Sequence, residues 1–330
     1  MKNLIKSSFL LVIMMVACEQ SGYSPDIKLI ETSSQIENVS VINGRLVFDT
    51  KETFENIFNS LKEKTTDELL DWQNKNFKGY YSVLELYERL SEEDIMKIGN
   101  SKSVKGYENI AFLKSDRYGL ELVRTIDDKI LAVLTNNEGL IQIMDDIFYL
   151  QYDTIKEIKS PTELELHNLI QSNWNNSGDV KIITHPVTRK TISNSTSKIQ
   201  ATNTCIKEYK SKRRFKLEAT VTNTYISSGI YSKVKHQKKS FGIWFNTKAN
   251  KMRLTIDGTF SQVNPINPNQ SYSQYVYWTT GLSSNVSKLT WTWYRCFFAD
   301  CDFSTSTGAT SYFEGYGDNN IYSNCTKAFP

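Results

Sequence analysis

The chain reads as an α+β N-terminal unit, a small helical cluster followed by an antiparallel β-meander, and then an all-β antiparallel C-terminal unit of sandwich or barrel type. Three observations predict this. Between residues 45 and 98 apolar residues recur at helical spacing. From 109 to 158 they recur every second residue between turn signals. Beyond a Ser/Thr/Asn-rich stretch near residue 197, long alternating runs rich in Tyr, Trp and Thr take over. With 39% apolar residues in 330, the chain can build packed cores, and wholesale disorder is excluded.

The first residues read as an export leader. Met1–Lys6 carries two lysines and no acid, and Phe9–Ala17 is an apolar run. That run is too short for a membrane-crossing helix, which needs about 20 apolar residues. No second long apolar run follows. Met15-Val16-Ala17-Cys18 resembles the lipobox of bacterial lipoprotein precursors, with Met15 as the departure from its pattern. The resemblance implies cleavage between Ala17 and Cys18, a diacylglycerol on the Cys18 thiol and an acylated new amine, hence a membrane lipid anchor. Two or more acyl chains hold a protein stably at a bilayer where one does so marginally. The competing reading is an ordinary signal peptide with a cysteine at its cleavage point. An outer-membrane location, on the periplasmic or the surface face, follows from the lipoprotein reading.

The expected layout is a leader 1–17, a flexible polar tether 18–42, an α+β unit 43–172, a linker 173–204 and a basic β-sandwich 205–330. A brief strand at Arg45–Phe48 precedes a helix whose apolar face is Phe54, Ile57, Phe58 and Leu61, capped by Asp49 or Thr50. A second helix uses Leu69, Leu70 and Trp72, and a third Tyr80, Leu84, Tyr87 and Leu90. Ser91-Glu92-Glu93-Asp94 resembles a capping box before Ile95 and Ile98. Strands are predicted at Ile110–Leu113, Leu120–Val123, Ile130–Leu134, Leu140–Ile143 and Ile147–Tyr152, with Asn136-Asn137-Glu138-Gly139 as a turn. Pro161–Trp174 reads as a short helix, and eight of the twelve residues from Ser193 to Thr204 are Ser, Thr or Asn.

Leu134, Asn136, Gly139, Gln142, Ile143, Asp146, Ile147 and Phe148 carry a further resemblance, with Thr135 intervening. This stretch is similar to an LN-x-x-G-x-(I/V)-Q-I-x-D-x-I-(Y/F) segment of uncharacterised Bacteroidetes lipoproteins. It covers about twenty residues and implies phylum and lipoprotein status, but no activity. Asp153-Thr154-Ile155 also resembles a short O-glycosylation signal of that phylum.

In the C-terminal unit Phe215, Leu217, Ala219 and Val221 alternate with Lys216, Glu218 and Thr220, and Met252, Leu254 and Ile256 alternate with Arg253 and Thr255. Such alternation predicts one buried and one wet face per sheet. Cys205, Cys296, Cys301 and Cys325 all lie here, an even set in an exported chain, so disulfides are expected. Three pairings exist; Cys296–Cys301 with Cys205–Cys325 is favoured, because the first closes a small loop and the second staples the ends of the unit. Zinc is the rival, without a Cys-x-x-Cys spacing to support it.

The overall charge of +3 hides a division. Residues 18–197 hold 20 basic and 29 acidic residues, whereas 198–330 hold 17 basic and 7 acidic. Lys212, Arg214 and Lys216 share one strand face, and with Lys233 and Lys235 on a neighbouring strand they make a candidate plate for anionic ligands. A solvated face that discourages edge-to-edge aggregation is the alternative. Nucleic acid is electrostatically feasible but awkward for an exported chain. Tyr272, Tyr275, Tyr277, Trp278, Trp291, Trp293, Tyr294, Tyr312 and Tyr316 can stack on sugar rings, though most suit a sandwich core. Asp300, Asp302, Glu314 and Asp318 are the tight acidic groups of this half, and no catalytic residue, metal or cofactor motif is recognised. The expected function is therefore non-enzymatic binding of a glycan or another anionic ligand. An envelope component that docks a protein partner, or an enzyme on glycans or peptides with a nonstandard site, are the alternatives.

Overall fold

The structure is a computed structural model. It describes residues 31–32, 36–116, 118–174, 180–186, 188–190, 203–223, 225–263, 271–298, 302–306 and 308–329. The leader 1–17 with Ala17, Cys18, Cys301 and the side chain of Cys296 lie outside the described residues, and with them the expected anchor and the Cys296–Cys301 pairing.

Along the chain come strands β1 (Glu31–Thr32), β2 (Val39–Ile42) and β3 (Arg45–Phe48), then helices α1 (Lys51–Leu61), α2 (Thr66–Asn76), α3 (Val83–Glu88) and α4 (Glu92–Ser101). A hairpin β4 (Ala111–Asp116) and β5 (Gly119–Arg124) leads to α5 (Lys129–Leu134). Next are β6 (Leu140–Ile143), β7 (Asp146–Leu150), β8 (Thr154–Ile158), α6 (Glu163–Gln171) and β9 (Ile182–Pro186). The remainder is β: β10 (Thr188–Lys190), β11 (Asn203–Lys210), β12 (Arg213–Asn223), β13 (Ser227–Ser240), β14 (Ile243–Asn246), β15 (Ala249–Val263) and β16 (Ser271–Thr279). It closes with β17 (Ser283–Val286), β18 (Lys288–Phe297), β19 (Asp302–Thr305), β20 (Thr310–Tyr316) and β21 (Tyr322–Ala328). Helices thus cluster at the N-terminal end and the C-terminal half is β-rich, the α+β and all-β division that the hydrophobic periods predict.

The helices begin where side chains satisfy their orphan amides. Thr50 caps α1, and Thr65, Ser91 and Thr162 form reciprocal capping boxes with Glu68, Asp94 and Glu165. Phe54, Phe58 and Leu61 of α1 are fully buried, as the spacing predicts.

Three sheets result. A seven-stranded sheet runs β1-β2-β3-β6-β7-β8-β9, antiparallel except for β3 beside β6. An eight-stranded sheet runs β10-β12-β13-β14-β5-β4, with β11 also on β12 and β18 on β13. A six-stranded sheet runs β16-β15-β20-β21, with β17 and β19 on β15. The last two form a sandwich whose core includes Phe215, Leu217, Ala219 and Val221 from β12, Met252, Leu254 and Ile256 from β15, and Trp291 and Trp293 from β18. Burying each large apolar side chain contributes roughly 1.5–3 kcal/mol. The sheets approach closely at Gly315, where an added Cβ would lie 2.6 Å from the Phe215 ring. The disulfide Cys205–Cys325 joins β11 to β21, one edge strand of each sheet.

Several expectations are corrected. Ile130–Leu134 is the helix α5, not a strand: Asp128 accepts from the amides of Ile130 and Leu131 and starts a turn, and all five apolar residues are buried around the helix. A run buried on every side carries no period to reveal its type. The end of the expected tether is folded, since Val39 and Val41 of β2 are buried. Ile182–Pro186 and Thr188–Lys190, inside the expected linker, are strands; Ile182 pairs with Ile158. The two halves also share structure. β14 pairs in parallel with β5, and Phe297 and Phe298 pack on Phe54 of α1 with centroids 6.0 and 5.7 Å away.

Candidate functional site

The polar face of the β12–β13–β18 portion of the eight-stranded sheet organises the site. Strand alternation sends Phe215, Leu217 and Ala219 into the sandwich and Arg214, Lys216, Glu218 and Thr220 to the opposite face. Cross-strand register then builds rows. Arg214 lies opposite Gln237, Lys216 opposite Lys235, Glu218 opposite Lys233, and Thr220 opposite Tyr231. On the far side of β13, Lys235 pairs with Lys288, Lys233 with Thr290, and Tyr231 with Thr292. One row is therefore Lys216, Lys235 and Lys288, three ammonium groups in register. Like charges directly opposite destabilise a sheet unless something compensates.

Carboxylates from outside the lysine row compensate. Glu121 of β5, 1% exposed, accepts from Lys216, from Lys235 at 2.9 Å and from the Gln237 amide at 2.8 Å. Glu218 lies 3.2 Å from Lys216 and 3.4 Å from both Lys233 and Lys235. Asp127, in the loop before α5, pairs with Lys233 and, at 3.5 Å, with Lys288. The Arg214 guanidinium sits 4.1 Å over the Trp244 ring and donates to Gln237.

Electrostatics follow from this packing. Burial opposes the Glu121 charge, yet Lys235 and Lys216 hold its carboxyl down at about 2. Glu218 is likewise held well below the carboxylate range by Lys235, Lys233 and Lys216, against burial. Burial pushes the Lys288 ammonium down to about 7; Asp127 pulls against that shift, while Arg124, Lys233 and Lys235 add to it.

The expected anion plate is thus corrected in its setting. Arg214, Lys216 and Lys235 are buried and face the chain's own carboxylates instead of solvent. Lys212 is not on the strand; it occupies the turn before β12 with φ of 60°. The N-terminal half covers this face, which alternation alone marks as wet.

What this face does line is a cavity at the junction of the two halves. Its walls include Lys114, Thr125, Asp127, Gln151 and Tyr152 on one side and Thr220, Ser227, Tyr231, Lys233, Lys288, Thr290 and Thr292 on the other. The space between these walls, open solvent included, is about 1000 Å³. A neighbouring cavity shares Asp127, Lys129, Lys288 and Thr290, so these residues form a common wall. Hydroxyls, an amide and charged groups converging at such a junction can hold a small polar ligand.

The other candidates fall elsewhere. Trp291 and Trp293 are core, whereas Tyr272, Tyr275 and Tyr277 are 53%, 63% and 66% exposed on β16. Asp318 pairs with Arg213 and Glu314 with Arg253. Among the described residues no group of three His, Cys, Asp or Glu is arranged to hold a metal. Sequence reasoning missed Glu121, Asp127 and Lys288. Glu121 is the lone charge within Leu120-Glu121-Leu122-Val123, and Lys288 alternates with Thr290 and Thr292 against Leu289 and Trp291; both patterns were visible signals of a polar side chain on a strand.

No family model matches the chain, and no curated protein matches it. Among solved structures it is similar to a DUF4848 family protein from Bacteroides thetaiotaomicron, at 14% identity and a TM-score of 0.29, over 87% of this chain and 98% of that one.

Proposed function

We propose that this protein is a lipid-anchored binding protein of the cell envelope whose junction cavity takes a small anionic ligand, with acidic saccharides the best-fitting class. The observation that carries the reading is the cavity wall, where four basic side chains, Lys114, Lys129, Lys233 and Lys288, outnumber the carboxylates of Asp127, Asp128 and Glu218 among several hydroxyls. An ammonium suits a carboxylate or phosphate, and Thr290, Thr292, Tyr231 and Gln151 offer partners to sugar hydroxyls. Burying so many charges costs desolvation that an apolar core of similar volume avoids. A face that keeps them argues for a use beyond stability.

The leader and the Cys18 lipobox support the envelope setting, as does the Cys205–Cys325 disulfide, since disulfides persist in oxidising compartments. Incorporation of a palmitate analogue into the wild type, abolished in Cys18→Ala, is the expected sign of the anchor; undiminished labelling of that variant excludes it.

Binding is tested by calorimetric titration of the full chain with methyl α-D-galacturonide against methyl α-D-galactoside, which has a hydroxymethyl group in place of the carboxylate. The acidic sugar is expected to bind, and to weaken as salt rises. Lys233→Met, with its fold checked by circular dichroism, is expected to weaken it about tenfold or more, the loss of one charged hydrogen bond. Equal or absent binding of both sugars overturns the reading.

A further inference from the structure

The geometry assigns to Lys288 a chemical role that ion pairing does not require: we propose that its amine condenses reversibly with the aldehyde or ketone of a cavity ligand to form an imine. The inference rests on the reading of the cavity as a ligand site and names the ligand more closely, as a carbonyl compound that also carries an acid group, such as an oxo acid or the open-chain form of an acidic sugar.

The argument starts from register. Lys288 opens β18 and stands opposite Lys235, which stands opposite Lys216. Glu121 holds the two inner lysines of that row, with Lys235 at 2.9 Å. Lys288 is the outer member, lines both cavities, and meets Asp127 at 3.5 Å, a long ion pair. Its charged neighbours are Arg124 from β5, Asp127 from the loop, and Lys233 and Lys235 from β13. Burial is the main force against its charge; Asp127 pulls the other way, Arg124, Lys233 and Lys235 add repulsion, and the Lys288 amine is held down at about 7. A lysine desolvated beside other cations is a nucleophile toward carbonyl groups.

The step balances. Asp127 accepts the ammonium proton. The nitrogen lone pair attacks the carbonyl carbon while the carbonyl π pair moves to oxygen, which takes up a proton. The carbinolamine then loses that oxygen as water together with the second amine proton, and the C=N bond forms. Amine and carbonyl become imine and water, with no oxidant or reductant. Lys233, bound to the same Asp127, is placed to hold the acid group of the ligand.

The test uses the full chain and pyridoxal 5′-phosphate, an aldehyde bearing an anionic group, trapped with borohydride and mapped by peptide mass spectrometry. Reduced adduct is expected at Lys288 about tenfold or more faster than at exposed lysines such as Lys97, since each unit of pKa depression raises the free amine tenfold. The Lys288 rate is expected to climb between about pH 6 and 8 around its own titration. Lys288→Met carries no charge, like the free amine, cannot form an imine, and is expected to lose the adduct while retaining its melting temperature. Adducts spread over exposed lysines without enrichment at Lys288 overturn the proposal, and the wild-type map decides this even where the variant misfolds. Methyl α-D-galacturonide has no free carbonyl, so its binding with no Lys288 adduct overturns the imine alone. A Lys288 adduct without galacturonide binding keeps the reactive amine and removes the acidic-saccharide reading.

Discussion

Glu121 shows how much a single residue decides. It is the carboxylate on which Lys216 and Lys235 converge, and all three are almost fully buried. Removing one partner of a buried ion pair leaves uncompensated charge and costs roughly 3–5 kcal/mol. Glu121→Gln is therefore expected to lower unfolding stability by about that amount at pH 7, read from urea denaturation. The pH dependence has a definite sign. The Glu121 carboxyl is held at about 2 against an ordinary 4.5, so the unfolded chain takes up the proton first on acidification. Its stabilisation is present above about 4.5 and is lost as pH falls from there through about 2. The gap between wild type and Glu121→Gln is expected to narrow over that window. A gap that stays constant from pH 7 to 2 removes Glu121 from the centre of the network.

At the scale of elements, legibility tracked period and capping. Helices α1, α2, α4 and α6 each begin at a Thr or Ser whose side chain caps the first turn, and each has an apolar face that sequence spacing reveals. The long strands β12 and β15 were equally legible, because Phe215 to Val221 and Met252 to Ile256 alternate without interruption. Short elements were not. In α5, Ile130-Leu131-Ala132-Val133-Leu134 is apolar throughout, so only the Asp128 cap separates helix from strand. Two-residue and four-residue strands such as β1 and β2 offer too few positions for a period to stand out. The candidate site was half legible. Lys233 was named on composition, whereas Lys288, Asp127 and Glu121 come from three other segments that only pairing brings together.

At the scale of the whole molecule, the two halves are bound by more than chain connectivity. β5 of the N-terminal half joins the eight-stranded sheet through β14, and Phe297 and Phe298 from the end of β18 enter the aromatic cluster of α1. The Cys205–Cys325 bond closes a span of 120 residues between edge strands of the two sandwich sheets. On a loop-entropy basis a closure of that length contributes up to about 5 kcal/mol. The Cys205→Ser/Cys325→Ser double variant is expected to melt at lower temperature with a loss of roughly 2–5 kcal/mol, checked by calorimetry with and without reductant. Reductant is expected to shift the wild type more than the double variant; a wild type indifferent to reduction contradicts the bond.

Sequence by itself determined the class of each half and the faces of the long strands; it left three cysteine pairings open while favouring Cys205 with Cys325, which the structure shows. Each of these depends on local period or on the chemistry of residue types. Only the tertiary structure decided that Arg214, Lys216 and Lys235 are buried, that Glu121 joins Glu218 against the two lysines, and that Lys233 and Lys288 share Asp127 at a cavity. The physical reason is that period 2 assigns a side chain to one face of a sheet but says nothing of what covers that face. Here the cover is β5 and the Asp127 loop, more than ninety residues away along the chain from the lysines they meet.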